Sequence, residues 1–205
     1  PIIFLSAKTM KDDRIKGWLV ENEGLWVSYT SEAEVDRGEF LAKYLTAVSY
    51  REHCTQWLDV RLCHYISPHH LEQTEFVVAP VLFADELAIT GARGSLLQTT
   101  PDTEALLIEL EWHAQQKPTI DYKVALRLIA PDGSMLVDAN DYPIGPLLPP
   151  TTWNMDDRKP GYFALRLPDN LAPGEYEVQV VLYDPNTLAT TSYSVIGGTA
   201  PDNNT

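Results

Sequence analysis

Ala105-Leu106-Leu107-Ile108-Glu109-Leu110-Glu111-Trp112-His113 is the stretch that decides the fold. Leu106, Ile108, Leu110 and Trp112 recur at every second position, with Glu109, Glu111 and His113 between them. Successive side chains on a strand point to opposite faces, so this is a strand with one apolar and one polar face. The same period returns three times downstream. Tyr122, Val124, Leu126 and Leu128 alternate with Lys123, Ala125 and Arg127. Phe163, Leu165 and Leu167 point one way, and Tyr176, Val178, Val180 and Leu182 alternate with Glu175, Glu177 and Gln179. One-faced strands of this kind pair antiparallel and bury their apolar sides against a second sheet.

Turn formers stand between these strands. Pro131-Asp132-Gly133-Ser134 offers a fixed φ and then a positive φ, as a tight hairpin requires. Asp184-Pro185-Asn186-Thr187 and Ala172-Pro173-Gly174 are further turns. Short strands at roughly 10-residue spacing predict a mainly β fold: an antiparallel β-sandwich, jelly-roll or immunoglobulin-like. It occupies residues 81–205, with its strands between 81 and 195. Residues 138–159 are too many for a hairpin loop and are expected to cross between sheets. Gly91-Ala92-Arg93-Gly94 reads as a turn, and the tail from Gly197 as frayed.

Residues 1–80 have a different grammar, that of a small mixed α/β segment ending in a linker. Strands are expected at 2–6, 25–29 and 58–66. Ile15, Trp18 and Leu19 predict a helix over 11–21, and Phe40, Leu41, Tyr44 and Leu45 carry a second helical stripe. Ser31-Glu32-Ala33-Glu34 has the look of its N-cap. Residues 67–74, with His69 and His70, read as the linker.

Charge excludes whole classes of partner. The chain has 15 Lys and Arg against 29 Asp and Glu, a formal −14, which repels phosphate backbones, so no nucleic-acid partner is expected. No run reaches the roughly 18 apolar residues of a membrane span. The opening Pro1-Ile2-Ile3-Phe4-Leu5 is too short for a signal peptide, and the absence of an initiator Met suggests a soluble piece of a longer protein. Cys54 and Cys63 either close a small loop or leave Cys63 as a buried free thiol, with the balance toward the thiol.

The candidate chemistry is sparse. There is no Gly-x-Ser-x-Gly, His-Glu-x-x-His or phosphate loop, so no catalytic residue and no cofactor are assigned. Adjacent His69 and His70 point apart and make a poor metal pair, and His53 and His64 lack a carboxylate partner nearby in sequence. Asp138, Asn140 and Asp141, before Tyr142, form an oxygen-rich cluster that suits turn stabilisation better than calcium, so no metal site is assigned. Trp153 offers an aromatic face beside these polar groups, the combination that holds sugar rings, so the candidate ligand residues are Trp153, Asp138, Asn140, Asp141 and Tyr142. The rival use of Trp153 is to plug the end of the sandwich. Trp26, Trp57 and Trp112 have apolar neighbours and read as core.

An ordered set of short motifs carries a resemblance. It runs Leu110-x-Trp112-x-Ala114, Asp121-Tyr122-x-Val124, Leu128, Asp132-Gly133, Asp141-x-Pro143, Pro150-Thr151-x-Trp153, Leu167-Pro168, Ala172-Pro173-Gly174-x-Tyr176 and Leu182-Tyr183-Asp184. It resembles the C-terminal extracytoplasmic β-sandwich domain of bacterial polytopic membrane glycosyltransferases, the dolichyl-phosphate-mannose:protein mannosyltransferase-like kind. The resemblance implies a non-catalytic accessory domain outside the cytoplasmic membrane, tethered in cis to a membrane domain that holds the catalytic residues. It would position a glycan or a protein acceptor. The charged run Asn154-Met155-Asp156-Asp157-Arg158-Lys159 departs from that pattern. The alternatives are a stand-alone carbohydrate-binding module, a surface adhesion module, and an enzyme with a site near residues 64–70.

Overall fold

The computed structural model describes residues 12–30, 35–76, 80–100, 103–169 and 171–195. The strand expected at 2–6, the N-cap at 31–34 and the tail from Gly197 lie outside the described residues.

The amino-terminal part is built as its periodicities require. Helix α1 (Asp12–Glu21) buries Ile15 and Leu19, one turn apart, and Asn22 closes it through backbone and side-chain hydrogen bonds to the Trp18 carbonyl at 2.9 and 2.8 Å. Strand β1 (Gly24–Thr30) follows, then α2 (Val35–Val48), which buries Leu41 and Leu45. At the end of α2 the Thr46 and Ser49 hydroxyls donate to the Ala42 and Leu45 carbonyls at 2.8 and 2.6 Å. The Ser49 bond satisfies one of the acceptors that the helix terminus leaves open, and the Thr46 bond is a back-bond within the last turns. Strands β2 (Tyr50–Trp57) and β3 (Val60–Ile66) complete an antiparallel sheet of order β1-β3-β2. Both helices cover one face of it, in a core of Ile15, Leu19, Val27, Leu41, Leu45, Cys63 and Tyr65. β2 was not visible in the sequence, because it buries only its first residue fully.

Cys54 and Cys63 stand opposite one another in the β2–β3 register and are joined as a disulfide. Cys63 is buried, as expected, but it is not a free thiol. The antiparallel register aims both side chains at the same spot on the helix-covered face.

The sandwich comprises β4 (Thr74–Phe76), β5 (Val81–Phe83), β6 (Leu87–Thr100), β7 (Thr103–Ala114), β8 (Lys123–Ile129), β9 (Met135–Asp141), β10 (Arg158–Arg166), β11 (Glu177–Tyr183) and β12 (Tyr193–Val195). One sheet has the order β10-β7-β6-β5-β12, with β4 also paired to β6, and the other has the order β11-β8-β9. Every pairing is antiparallel. The alternating residues named above fill the space between the sheets: Ile108, Leu110 and Trp112 from β7, Val124, Leu126 and Leu128 from β8, Phe163 and Leu165 from β10, Leu182 from β11. Gly133 has φ 84° in the β8–β9 hairpin, where the sequence placed a positive φ.

Four local readings change. Gly91-Ala92-Arg93-Gly94 is no turn; it lies inside the long strand β6, with a bulge between Ile89 and Gly91. A Cβ at Gly94 would meet the Phe76 ring of β4 at 2.6 Å, so the glycine admits a neighbouring strand rather than a reversal. Residues 138–141 belong to β9, so the crossing connection is shorter than expected and begins after Asp141. It passes so close to β10 that a Cβ at Gly161 would sit 1.9 Å from the Pro143 carbonyl oxygen.

The supposed polar face of β7 is also covered. Tyr50 and Ile66 pack on Ala105 and Leu107, flanked by Leu71, Leu97, Tyr162 and Ala164. Glu109 is therefore buried, and it accepts hydrogen bonds from Arg93 and Gln73. Gln73 also donates to the Tyr50 hydroxyl at 2.7 Å, and the Tyr50 ring meets Tyr162 edge-on at 5.1 Å. Residues 67–74 are thus a docked seam, not a loose linker. Ser67 is fully buried, its hydroxyl donates to the Leu19 carbonyl at 2.5 Å, and it caps the 3-10 turn Pro68–His70. No helix among the described residues is long and apolar enough to cross a membrane.

Candidate functional site

The residues expected to form a ligand surface do not come together. Trp153 is 1% exposed, packs in the sandwich core, and donates its indole N–H to the Leu148 carbonyl at 2.9 Å. Neither ring face is free to stack on a sugar, so Trp153 is corrected from a ligand residue to the plug of the crossing connection. The turn that carries it is held by Asp121, which accepts from the Thr151 N–H at 3.0 Å and from the Thr151 hydroxyl at 2.5 Å. Asp138 and Asn140 lie exposed on the outer face of β9 and bond to each other. Asp141 turns away to pair with Arg51 at 2.9 Å. Tyr142 sits under the Lys123 ammonium, 5.2 Å from the ring centroid. The oxygen cluster is thus divided among three local tasks. The His70 ring bonds the Val20 carbonyl at 2.8 Å and so has a structural task, and the His69 backbone N–H donates to the Ser67 hydroxyl at 3.2 Å.

The surface that does present aromatic rings is the part of the helix-free face of β1-β3-β2 that lies beyond Tyr50 and Ile66, the residues of that face packed on the sandwich. Leu25, Val27 and Tyr29 share one parity and pack toward the helices. The opposite parity sends Trp26 outward, where it is 60% exposed. Trp57 of β2 lies on the same outward parity and is 64% exposed. Both correct the expectation of core tryptophans: the sandwich covers this face only around Tyr50 and Ile66, and the two indoles lie beyond it.

Trp26 and His64 are registered partners, and their rings stack at 4.4 Å with an 11° interplanar angle. One face of the indole is thereby taken and the other is left to solvent. Behind His64 lies Glu52, whose carboxylate is 3.4 Å from His64 Nδ1 and accepts from the Thr99 hydroxyl at 3.2 Å. The Glu52 side chain is only 6% exposed. Burial pushes the Glu52 carboxyl up, but the hydrogen bond and charge of His64, with help from Thr99 and His53, outweigh it and hold the group below the usual carboxylate range. Beside this pair, His53 Nε2 and the Thr55 hydroxyl are 2.7 Å apart. Ser28, Leu62 and Thr55 fill the middle row of the face.

The chemistry of this surface follows from its parts. An indole fixed against an imidazole is a flat apolar platform of set orientation. A His64 that donates from Nδ1 to Glu52 offers Nε2 as an acceptor, and protonated it offers a second donor. A platform ringed by exchangeable donors and acceptors suits a ligand with both C–H faces and hydroxyls. Glu52 and His64 are distant in sequence, and only strand pairing unites them. For Trp26 a signal existed: its parity opposes that of Leu25, Val27 and Tyr29.

No family model matches the chain, and no curated protein does. Solved structures give remote likenesses. A β-glucuronidase from glycoside hydrolase family 2 aligns at a TM-score of 0.36 and 9% identity, over 67% of this chain and 13% of that one. A Bacteroides uniformis β-glucuronidase aligns at a TM-score of 0.34 and 14% identity, over 69% and 20%. A calcium-binding mutant of Bacteroides uniformis β-glucuronidase 2 aligns at 0.32 and 14%, over 68% and 15%. The chain therefore spans a small part of each of these enzymes. What its own sheets define is a mainly β protein, an antiparallel sandwich with a helix-backed three-stranded sheet docked on its outer face.

Proposed function

We propose that this chain is a non-catalytic glycan-binding accessory module that works outside the cytoplasmic membrane. The observation that carries the reading is the Trp26–His64 stack, open on one side and backed by buried Glu52. A solvent-facing tryptophan costs hydrophobic free energy that burial would have recovered, and here the ring is also held in one orientation. The disulfide between Cys54 and Cys63 supports the oxidising location, since such bonds are rare where glutathione keeps thiols reduced. In the setting implied by the motif resemblance, the module sits beside a membrane glycosyltransferase and positions its glycan or protein acceptor.

The test is a glycan array probed with the disulfide-bonded chain and with Trp26→Ala. Selective glycan binding that is lost in Trp26→Ala supports the reading. An array blank for the wild-type chain, or binding that survives the substitution, overturns it.

A further inference from the structure

The tip of the β2–β3 hairpin has a feature that folding alone does not require. Trp57 and Val60 form its last registered pair, and Leu58 and Asp59 make the turn. Leu58 has φ 50° and is 97% exposed. Two-residue hairpin turns do demand a positive φ, but they normally meet it with Gly, Asn or Asp. A leucine there gains nothing from burial and carries backbone strain. The turn is nevertheless braced. The Gln56 side chain donates to the Leu58 carbonyl at 2.8 Å, and the disulfide ties the two strands below. The result is an apolar side chain held out in water next to an exposed tryptophan.

Trp57 shares its face with Trp26. Trp26 pairs with His64 and Trp57 with Val60, at opposite corners of the sheet. At about 3.3 Å per residue and about 4.8 Å between strands, these corners are roughly 16 Å apart. That span exceeds a single pyranose ring, and Ser28, Leu62 and Thr55 continue the surface between the two indoles.

We infer that the Trp57–Leu58 tip is a second subsite, and that the ligand is an extended oligosaccharide chain lying diagonally from Trp26 to the hairpin tip. This rests on the glycan-binding reading and adds the class of glycan. Leu58 is then a contact residue, and its strained backbone is tolerated for that contact.

Calorimetric titration with cello-, chito- and manno-oligosaccharides, each from disaccharide to hexasaccharide, tests it. For the series that binds, the wild-type affinity rises about tenfold from the shortest to the longest member. Trp57→Ala keeps disaccharide binding within about twofold and loses the gain with length. Leu58→Gly raises the melting temperature, because it relaxes the turn, and weakens hexasaccharide binding about threefold. Length-independent binding by the wild type, an equal loss at all lengths in Trp57→Ala, or unchanged hexasaccharide binding in Leu58→Gly would each overturn the second subsite while leaving the Trp26 site intact. No binding at any length in any series overturns both.

Discussion

The crossing connection after β9 and the helix-free face of β1-β3-β2 each carry a tryptophan, Trp153 near polar residues in sequence and Trp26 between Leu25 and Val27, and the fold uses each against that sequence context. Trp153 belongs to a long connection that passes over the end of a two-sheet sandwich, and the sandwich closes around it. Trp26 belongs to a sheet with helices on one side and the sandwich over only the Tyr50 and Ile66 end of the other, and that cover does not reach it. Neighbouring residue type misleads in both cases. What separates them is whether the architecture supplies a second surface. An aromatic ring with polar neighbours is therefore a weak site signal until the layers are counted.

Trp153→Ala gives the largest effect. Removing a fully buried indole costs about 3–5 kcal/mol, seen as a lower denaturant midpoint, while glycan binding by the folded fraction is unchanged. Loss of glycan binding in a folded Trp153→Ala protein would break the comparison. Next comes the disulfide. Cys54→Ser with Cys63→Ser costs about 2.5 kcal/mol by loop-closure entropy, and the wild type shows the same loss on reduction.

The seam between the two regions comes third. Glu109→Ala leaves Arg93 and Gln73 without their shared acceptor and costs about 1–3 kcal/mol in urea unfolding. The same seam responds to alkali. Burial, then the charge of Glu109, pushes the Tyr162 phenol up to about 12. A phenol raised on folding stabilises the protein fully below its ordinary pKa, and this is lost as pH rises toward 12. Tyrosine ionisation should therefore accompany unfolding in an alkaline titration.

Smaller still is the acid response of the open face. Glu52 is held below the usual carboxylate range, so its contribution is present above the ordinary carboxylate pKa and disappears as pH falls through the folded value. The wild-type melting temperature should fall more steeply with acidification than that of Glu52→Gln. The smallest change in stability belongs to Trp26→Ala, within about 0.5 kcal/mol in the same urea assay. That near-silence sharpens the contrast with Trp153, because the substitution expected to abolish binding is the one the fold barely registers.

Much of the sandwich was legible in the chain. The period of two in β7, β8, β10 and β11 named the inward residues, and the Gly133 turn was placed where it occurs. The α1 and α2 stripes were equally plain, since Ile15, Leu19, Leu41 and Leu45 all face the core. What was not legible was anything that depends on a second element arriving. β7 reads as a half-polar strand, yet Glu109 is buried where the amino-terminal part docks, and His113 is buried beside Gln115 and Asp156. β6 reads as a glycine turn because its glycines answer to neighbours, Phe76 above Gly94 among them. The candidate site was missed for the same reason, because Trp26, His64 and Glu52 come from three strands.

By itself the sequence determined the fold class, the inward-facing residues of α1, α2, β7, β8, β10 and β11, and the acidity that argues against nucleic acid. Those are local quantities, set by side-chain period, turn chemistry and charge. The tertiary structure alone decided that Cys54 meets Cys63, that residues 67–74 are docked through buried Ser67 and through Gln73, that Trp153 is hidden and that Trp26 is not. Burial and pairing are properties of two surfaces brought together, and a single strand records only which way its side chains point.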